Sequence, residues 1–289
     1  MFGECHMHIF MNGTDYRRAV MEQKEGKGET VARRNLEAYR RHGVTFVRDG
    51  GDHYDLSVLA RRLAPEYGID YRTPVFAIHK QGHYGGIVGH GFGDLVEYEA
   101  LVRAAIEQGA DFIKIIVSGI MDFNKAGILT EASLSADEIR EMVHIAHEEG
   151  MAVMAHANGA DAVRSAVLAG ADSLEHGNFM DRDCVQLLAE ADTVYVPTVS
   201  TIYNLLGDNR FPEREVRELW NRQKDVIAAC YEAGVRLALG SDAGAYCVLH
   251  GQGVEDEYRA FCRSIGESAR LKVHLMEGEQ RIQEKFRRK

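Results

Sequence analysis

The strongest constraint on the fold is an alternation. Eight apolar, β-leaning runs are separated by helical patterns, near residues 2–8, 44–48, 74–79, 112–117, 152–156, 172–176, 193–198 and 236–241. Each interval is about as long as a crossover helix needs before a parallel strand can start. Eight such units argue for a closed ring rather than an open sheet, so the expected fold is α/β, a (β/α)8 TIM barrel. Barrels of about 250 residues commonly form one domain. The whole of 1–289 is therefore read as a single unit, with 254–289 as one or two terminal helices.

Local signals support the helices. Ser135 with Glu138 three residues on makes a capping box, Ile139, Met142, Val143 and Ala146 form an apolar stripe, and Gly150 ends it. His144 and His147 ride on this helix, away from any strand end, and read as surface residues. The glycine-rich stretch Gly82 to Gly93 neither opens a helix with Gly-x-Gly-x-x-Gly nor carries a Lys-Ser/Thr, so it is not a phosphate cradle. It reads as a mobile loop over the barrel mouth, with His83 in a position to face a ligand.

Charge and cysteine usage narrow the function classes. The formal net charge is −10, and the one basic cluster is Arg287, Arg288 and Lys289 at the end. A nucleic-acid partner is not expected from such a chain. Five cysteines with no Cys-x-x-Cys spacing support neither a disulfide framework nor a cysteine metal site. There is no signal-peptide pattern and no run of 18 apolar residues. The expectation is a cytoplasmic protein with a small-molecule substrate and no membrane contact.

In a β/α barrel the C-terminal strand ends converge on one mouth, where polar residues read as catalytic. The first run ends Cys5-His6-Met7-His8, and side chains at i and i+2 of a strand share a side. Both imidazoles would enter one cavity as a metal clamp, although such a pair also occurs by accident on half-exposed strands. The fourth run holds Lys114 between apolar neighbours. It is either an ion-paired barrel lysine or an amine to which CO₂ has added, giving a carbamate whose two oxygens bridge two metals. The fifth and sixth runs end in His156 and His176, each before a small-residue turn. The eighth ends at Asp242, which either caps the next helix or supplies the carboxylate such a centre needs.

These residues, in this order, resemble the amidohydrolase superfamily, and within it the binuclear prolidase-like group. The resemblance runs from residue 3 to about 255. It includes Gly43-Val44-Thr45-Phe46-Val47-Arg48-Asp49, Ser118-Gly119, Ala155-His156-Ala157, Leu174-Glu175-His176-Gly177, Val196-Pro197-Thr198 and Ser241-Asp242-Ala243-Gly244.

The resemblance implies that His6, His8 and Asp242 hold one metal, His156 and His176 a second, and carboxylated Lys114 bridges them. The two divalent ions would be zinc first, with manganese or cobalt as alternatives. A hydroxide between them would attack the scissile carbonyl, with Asp242 passing its proton to the leaving amine. His83, Tyr203 and His250 occupy loop positions similar to those that hold the substrate's carboxylate, while Arg48 reads as an ion-pair residue inside the barrel.

The implied activity is cleavage of an amide bond in a dipeptide or N-acyl amino acid. The same site could serve a lactone, a carbamate or a xenobiotic amide or ester, and a non-catalytic metal-binding barrel is a third reading. Deamination fits less well, because mononuclear deaminases do not use a strand-four lysine. The expectation is a barrel largely or wholly without the group's accessory β-sandwich, with the terminal helices as a candidate interface of a homo-oligomer.

Overall fold

The computed structural model describes residues 2–288; Lys289, the last of the three terminal basic residues, lies outside them. Nine parallel strands form two sheets. They are β1 (Glu4–Met7), β2 (Phe46–Asp49), β3 (Asp70–Arg72), β4 (Ala77–Lys80), β5 (Gly89–Phe92), β6 (Ile113–Ile116), β7 (Val153–Ala157), β8 (Ser173–His176) and β9 (Val194–Val196). One sheet has the order β1-β2-β3 and the other β5-β4-β6-β7-β8-β9.

The two sheets make one barrel because two runs bridge them. The eighth run is not a continuous strand, contrary to the sequence reading; it makes an isolated bridge between Leu237 and Tyr195. Its backbone nevertheless joins β9 to β1. Tyr195 N–H donates to the Arg236 carbonyl (2.8 Å), Cys5 N–H to Leu239 (2.9 Å) and Asp242 N–H to His6 (2.7 Å). The third run, expected near 74–79, is strand only from Ala77, and a strand the sequence reading did not place, β3, precedes it: β3 pairs with β2 and β4 with β6. Between them Val75 takes φ of 70°, a conformation costly for a β-branched residue and imposed by the switch of partner.

The glycine-rich stretch is also corrected. Its second half is strand β5, in register on β4 from Ala77–Gly89 to Lys80–Phe92. A Cβ at Gly89 would overlap the Ala77 carbonyl, so only glycine permits this pairing. Residues 82–88 remain turn and loop.

Helices pack outside the ring. In Ala136–Glu148 the buried residues are Ile139, Met142, Val143 and Ala146, and the Ser135 hydroxyl accepts the Glu138 N–H. Only half of the capping box forms, because the Glu138 carboxylate turns to Lys80 Nζ at 2.7 Å. His147 lies on the helix surface, 3.0 Å from Asp172.

The C-terminal helices are Gln252–Ile265 and Ala269–Lys285. The second closes the N-terminal end of the barrel. Ile282 and Phe286 pack with Cys5, Phe46, Phe112 and Met154 into an apolar plug, separate from the larger core outside the strands. A Cβ at Gly278 would strike the Leu237 carbonyl, so glycine lets this helix lie against the closing run. No helix among the described residues is long and apolar enough to cross a membrane.

Candidate metal centre

The mouth opposite that plug holds the polar cluster. His6 and His8 leave β1 on one side, and Nε2 of each points at Asp242 Oδ1, at 3.7 and 3.8 Å. Ligand atoms of these three residues all lie within 4.8 Å of one another, a spacing that admits a metal ion. The His176 ring lies beside His6 (5.0 Å between centroids) and beside His156 (4.5 Å). His6, His8, Lys114, His156, His176 and Asp242 all line a single cavity of about 210 Å³.

The outer nitrogens of the imidazoles are already committed, which fixes the atoms facing inward. His6 Nδ1 donates to Glu175 Oε2 (2.7 Å) and His8 Nδ1 to the Gly51 carbonyl (3.0 Å). His176 Nδ1 pairs with the Thr198 hydroxyl (2.7 Å). Each keeps Nε2 for a ligand. His156 is reversed: its Nε2 donates to the Gly119 carbonyl (3.2 Å), leaving Nδ1. Burial drives all four imidazoles toward the neutral form that binds metal, His8 to about 4 and His156 to about 3, with His6 and His176 also well below the usual value.

Lys114 is the odd member. Its Nζ is buried and has no hydrogen-bond partner among the described residues. Burial lowers its pKa, with the Arg48 charge adding to the effect. A buried amine left without an acceptor is costly. Conversion to a carbamate would replace that orphan with two oxygens facing the histidines, so the donor set fits two divalent cations. Asp242 is pushed the other way, its carboxyl raised by burial. Two members of the cluster sit on left-handed backbone, His176 at φ 69° and Asp242 at φ 58°. Such turns are uncommon outside glycine, and here they direct side chains inward from strand ends.

The three residues expected to hold substrate separate. His83 stands on an adjoining outer chamber of about 840 Å³, its Nδ1 3.3 Å from Glu131. Tyr203 and His250 line neither chamber. Tyr203 stacks on Trp220 (5.1 Å) instead. His250 is buried with both ring nitrogens taken, Nδ1 by the Tyr39 hydroxyl (3.1 Å) and Nε2 by the Met11 carbonyl (2.8 Å). His250 has no ring nitrogen left for a ligand and Tyr203 stands outside both chambers, which corrects the sequence reading for both.

Sequence reasoning passed over Glu175, which lies in the quoted Leu174-Glu175-His176-Gly177 stretch. It is fully buried, and besides His6 it pairs with Arg48, equally buried, at 2.9 Å. Two opposite charges in the middle of strands were the available signal. The residues that roof the cavity were also missed. Phe123, in the loop after β6, meets Phe211, in the loop after β9, at 5.1 Å.

Gly50 offers a local test of the clamp. A Cβ there would overlap the His8 ring. Gly50→Ala is expected to weaken metal binding about 10-fold or more, read by competition with a chelating dye, with the far-UV circular dichroism unchanged. Undiminished affinity would remove His8 from the centre.

A model of the amidohydrolase family matches residues 2–268. Ochratoxinase of Aspergillus niger is 31% identical over 281 residues, covering 83% of this chain and 56% of that protein. An uncharacterized protein of Mycobacterium tuberculosis is 32% identical over 186 residues, covering 62% of this chain and 50% of its own length. The chain thus spans about half the length of the curated relatives it matches. Among solved structures, a Xaa-Pro dipeptidase with bound methionine superposes with a TM-score of 0.75 at 24% identity, over 98% of this chain and 75% of that one.

Proposed function

The chain belongs to the amidohydrolase family, and on that premise we propose that it is a metal-dependent hydrolase cleaving the amide bond of a dipeptide or N-acyl amino acid. What carries the reading is that six side chains able to bind metal, from five different barrel runs, line one cavity, with the Lys114 amine orphaned among them. His6, His8 and Asp242 would hold one cation and His156 and His176 a second, with carboxylated Lys114 between. Two such ions would polarise the scissile carbonyl and lower the pKa of water.

The remaining steps belong to the chain's own groups. Glu175 and Gly51 hold His6 and His8 in the tautomer that leaves Nε2 free. Asp242 turns Oδ1 to those imidazoles, and its other oxygen makes no hydrogen bond among the described residues. That oxygen takes the proton given up by the water that attacks the carbonyl carbon and delivers it to the nitrogen as the C–N bond breaks, without which an amine departs poorly. The roof formed by Phe123 and Phe211 restricts water at the reacting bond.

The test is amine release from Xaa-Pro, Xaa-Arg and other dipeptides and from N-acyl amino acids, using metal-loaded protein. Turnover that disappears on chelation and returns with zinc is expected. Silence across the panel, together with hydrolysis of lactones or carbamates, would overturn the amide assignment. A xenobiotic amide is the second reading, favoured by the aromatic roof and by the 31% identity to ochratoxinase.

A further inference from the structure

The inner cavity is mostly apolar, with Val88, Ile116, Met121 and Leu205 beside the aromatic roof. Apart from Lys114, its only lining cation is Arg210, from the loop after β9. Arg210 also lines the outer chamber, as do Tyr84, Ile120, Tyr246 and Ala245 and the metal-site candidates His8 and Asp242, so these seven form the neck between the two. Its guanidinium lies 4.0 Å from the Tyr246 ring centroid and 5.4 Å from that of Phe211. No carboxylate among the described residues lies within ion-pair distance of it, whereas most other arginines of the chain are paired. The loop is tied in place: Arg210 N–H donates to Asp208 Oδ1 (2.8 Å), and the Tyr246 hydroxyl reaches the other Asp208 oxygen at 3.3 Å.

A guanidinium held over an aromatic ring keeps its fork of donors oriented and is only weakly hydrated. Placed without an ion-pair partner at the neck of an apolar cavity, it selects a planar anion. We infer that Arg210 is the specificity-determining residue that receives a free carboxylate of the substrate at the neck, while an apolar group of the same substrate fills the inner cavity. The favoured class is therefore an amide with one apolar portion and one ionised carboxyl group. This deepens the hydrolase reading and rests on it, and it gives to Arg210 the part that Tyr203 and His250 are not placed to play.

The experiment compares N-benzoyl-leucine with its carboxamide in two measurements: kcat and KM with metal-loaded protein, and calorimetric binding to metal-free protein. The native chain is expected to favour the acid by about 10- to 100-fold, mostly through KM. Arg210→Met should bring the acid-to-carboxamide ratio close to one, and Arg210→Lys should keep part of the preference through charge alone. A preference that survives Arg210→Met, equal handling of both compounds by the native chain, or no binding of the acid would each overturn the assignment. Acid binding that depends on Arg210, without turnover of either compound, would uphold it and leave the hydrolase reading to be decided by the substrate panel.

Discussion

A Lys114→Ala variant is expected to bind one divalent ion or none and to lose about a thousandfold in turnover, since removing several kcal/mol of transition-state stabilisation costs that much. Its fold should survive. The Lys114 amine is buried without a partner, so deleting it removes an unfavourable group rather than a supporting one. Melting at or above the temperature of the metal-free native chain is therefore the expected companion result, while the metal-loaded native chain should melt higher than the variant. The cavity left behind is open to small carboxylates, whose two oxygens imitate a carbamate. Acetate or propionate should restore part of both metal content and turnover. A variant that keeps its metal and its activity would return Lys114 to the bland role of a barrel lysine.

The second large effect lies below the cavity. Arg48 donates Nε to the Cys5 carbonyl, Nη1 to Ser173 Oγ (2.8 Å) and Nη2 to Glu175 Oε1 (2.9 Å), and its guanidinium lies 4.4 Å from the centroid of the Phe286 ring. Arg48→Met would strand the Glu175 charge in a fully buried site, at a cost of about 3–5 kcal/mol. For a chain of this size the melting temperature should fall by roughly 10 °C. The double variant Arg48→Met with Glu175→Gln removes the stranded charge and should recover most of that loss. It also removes the carboxylate that orients His6, so its metal affinity should stay about 10- to 100-fold low. A double variant no more stable than the single one would place the role of Arg48 in its packing against Phe286 and Phe112 rather than in the ion pair.

The convergence of the polar cluster was legible in the sequence because a closed ring leaves little choice. Residues ending parallel strands must converge, so His6, His8, His156, His176 and Asp242 could be brought together by counting runs. Distance from a strand end does not say which way a loop side chain turns. His250 is claimed by Tyr39 and Met11, neighbours that no local pattern announces. The strands show the same division. Apolar runs mark β6 and β7 plainly, whereas β5 is a strand only because β4 offers it an edge, and its glycines disguise it. The break between β3 and β4 follows from a change of partner, which is a tertiary event. The terminal helix was visible as a helix. That it closes the barrel through Ile282 and Phe286 depended on Phe46 and Phe112 facing an otherwise open end.

The most direct measurement is the metal content of the native chain by elemental analysis, after dialysis against metal-free buffer at neutral pH. The account predicts about two divalent ions per chain, the number that two sets of protein ligands bridged by one carbamate would retain. Protein that is folded, retains His6, His8, His156, His176 and Asp242, and yet holds no ion after loading with zinc would contradict it.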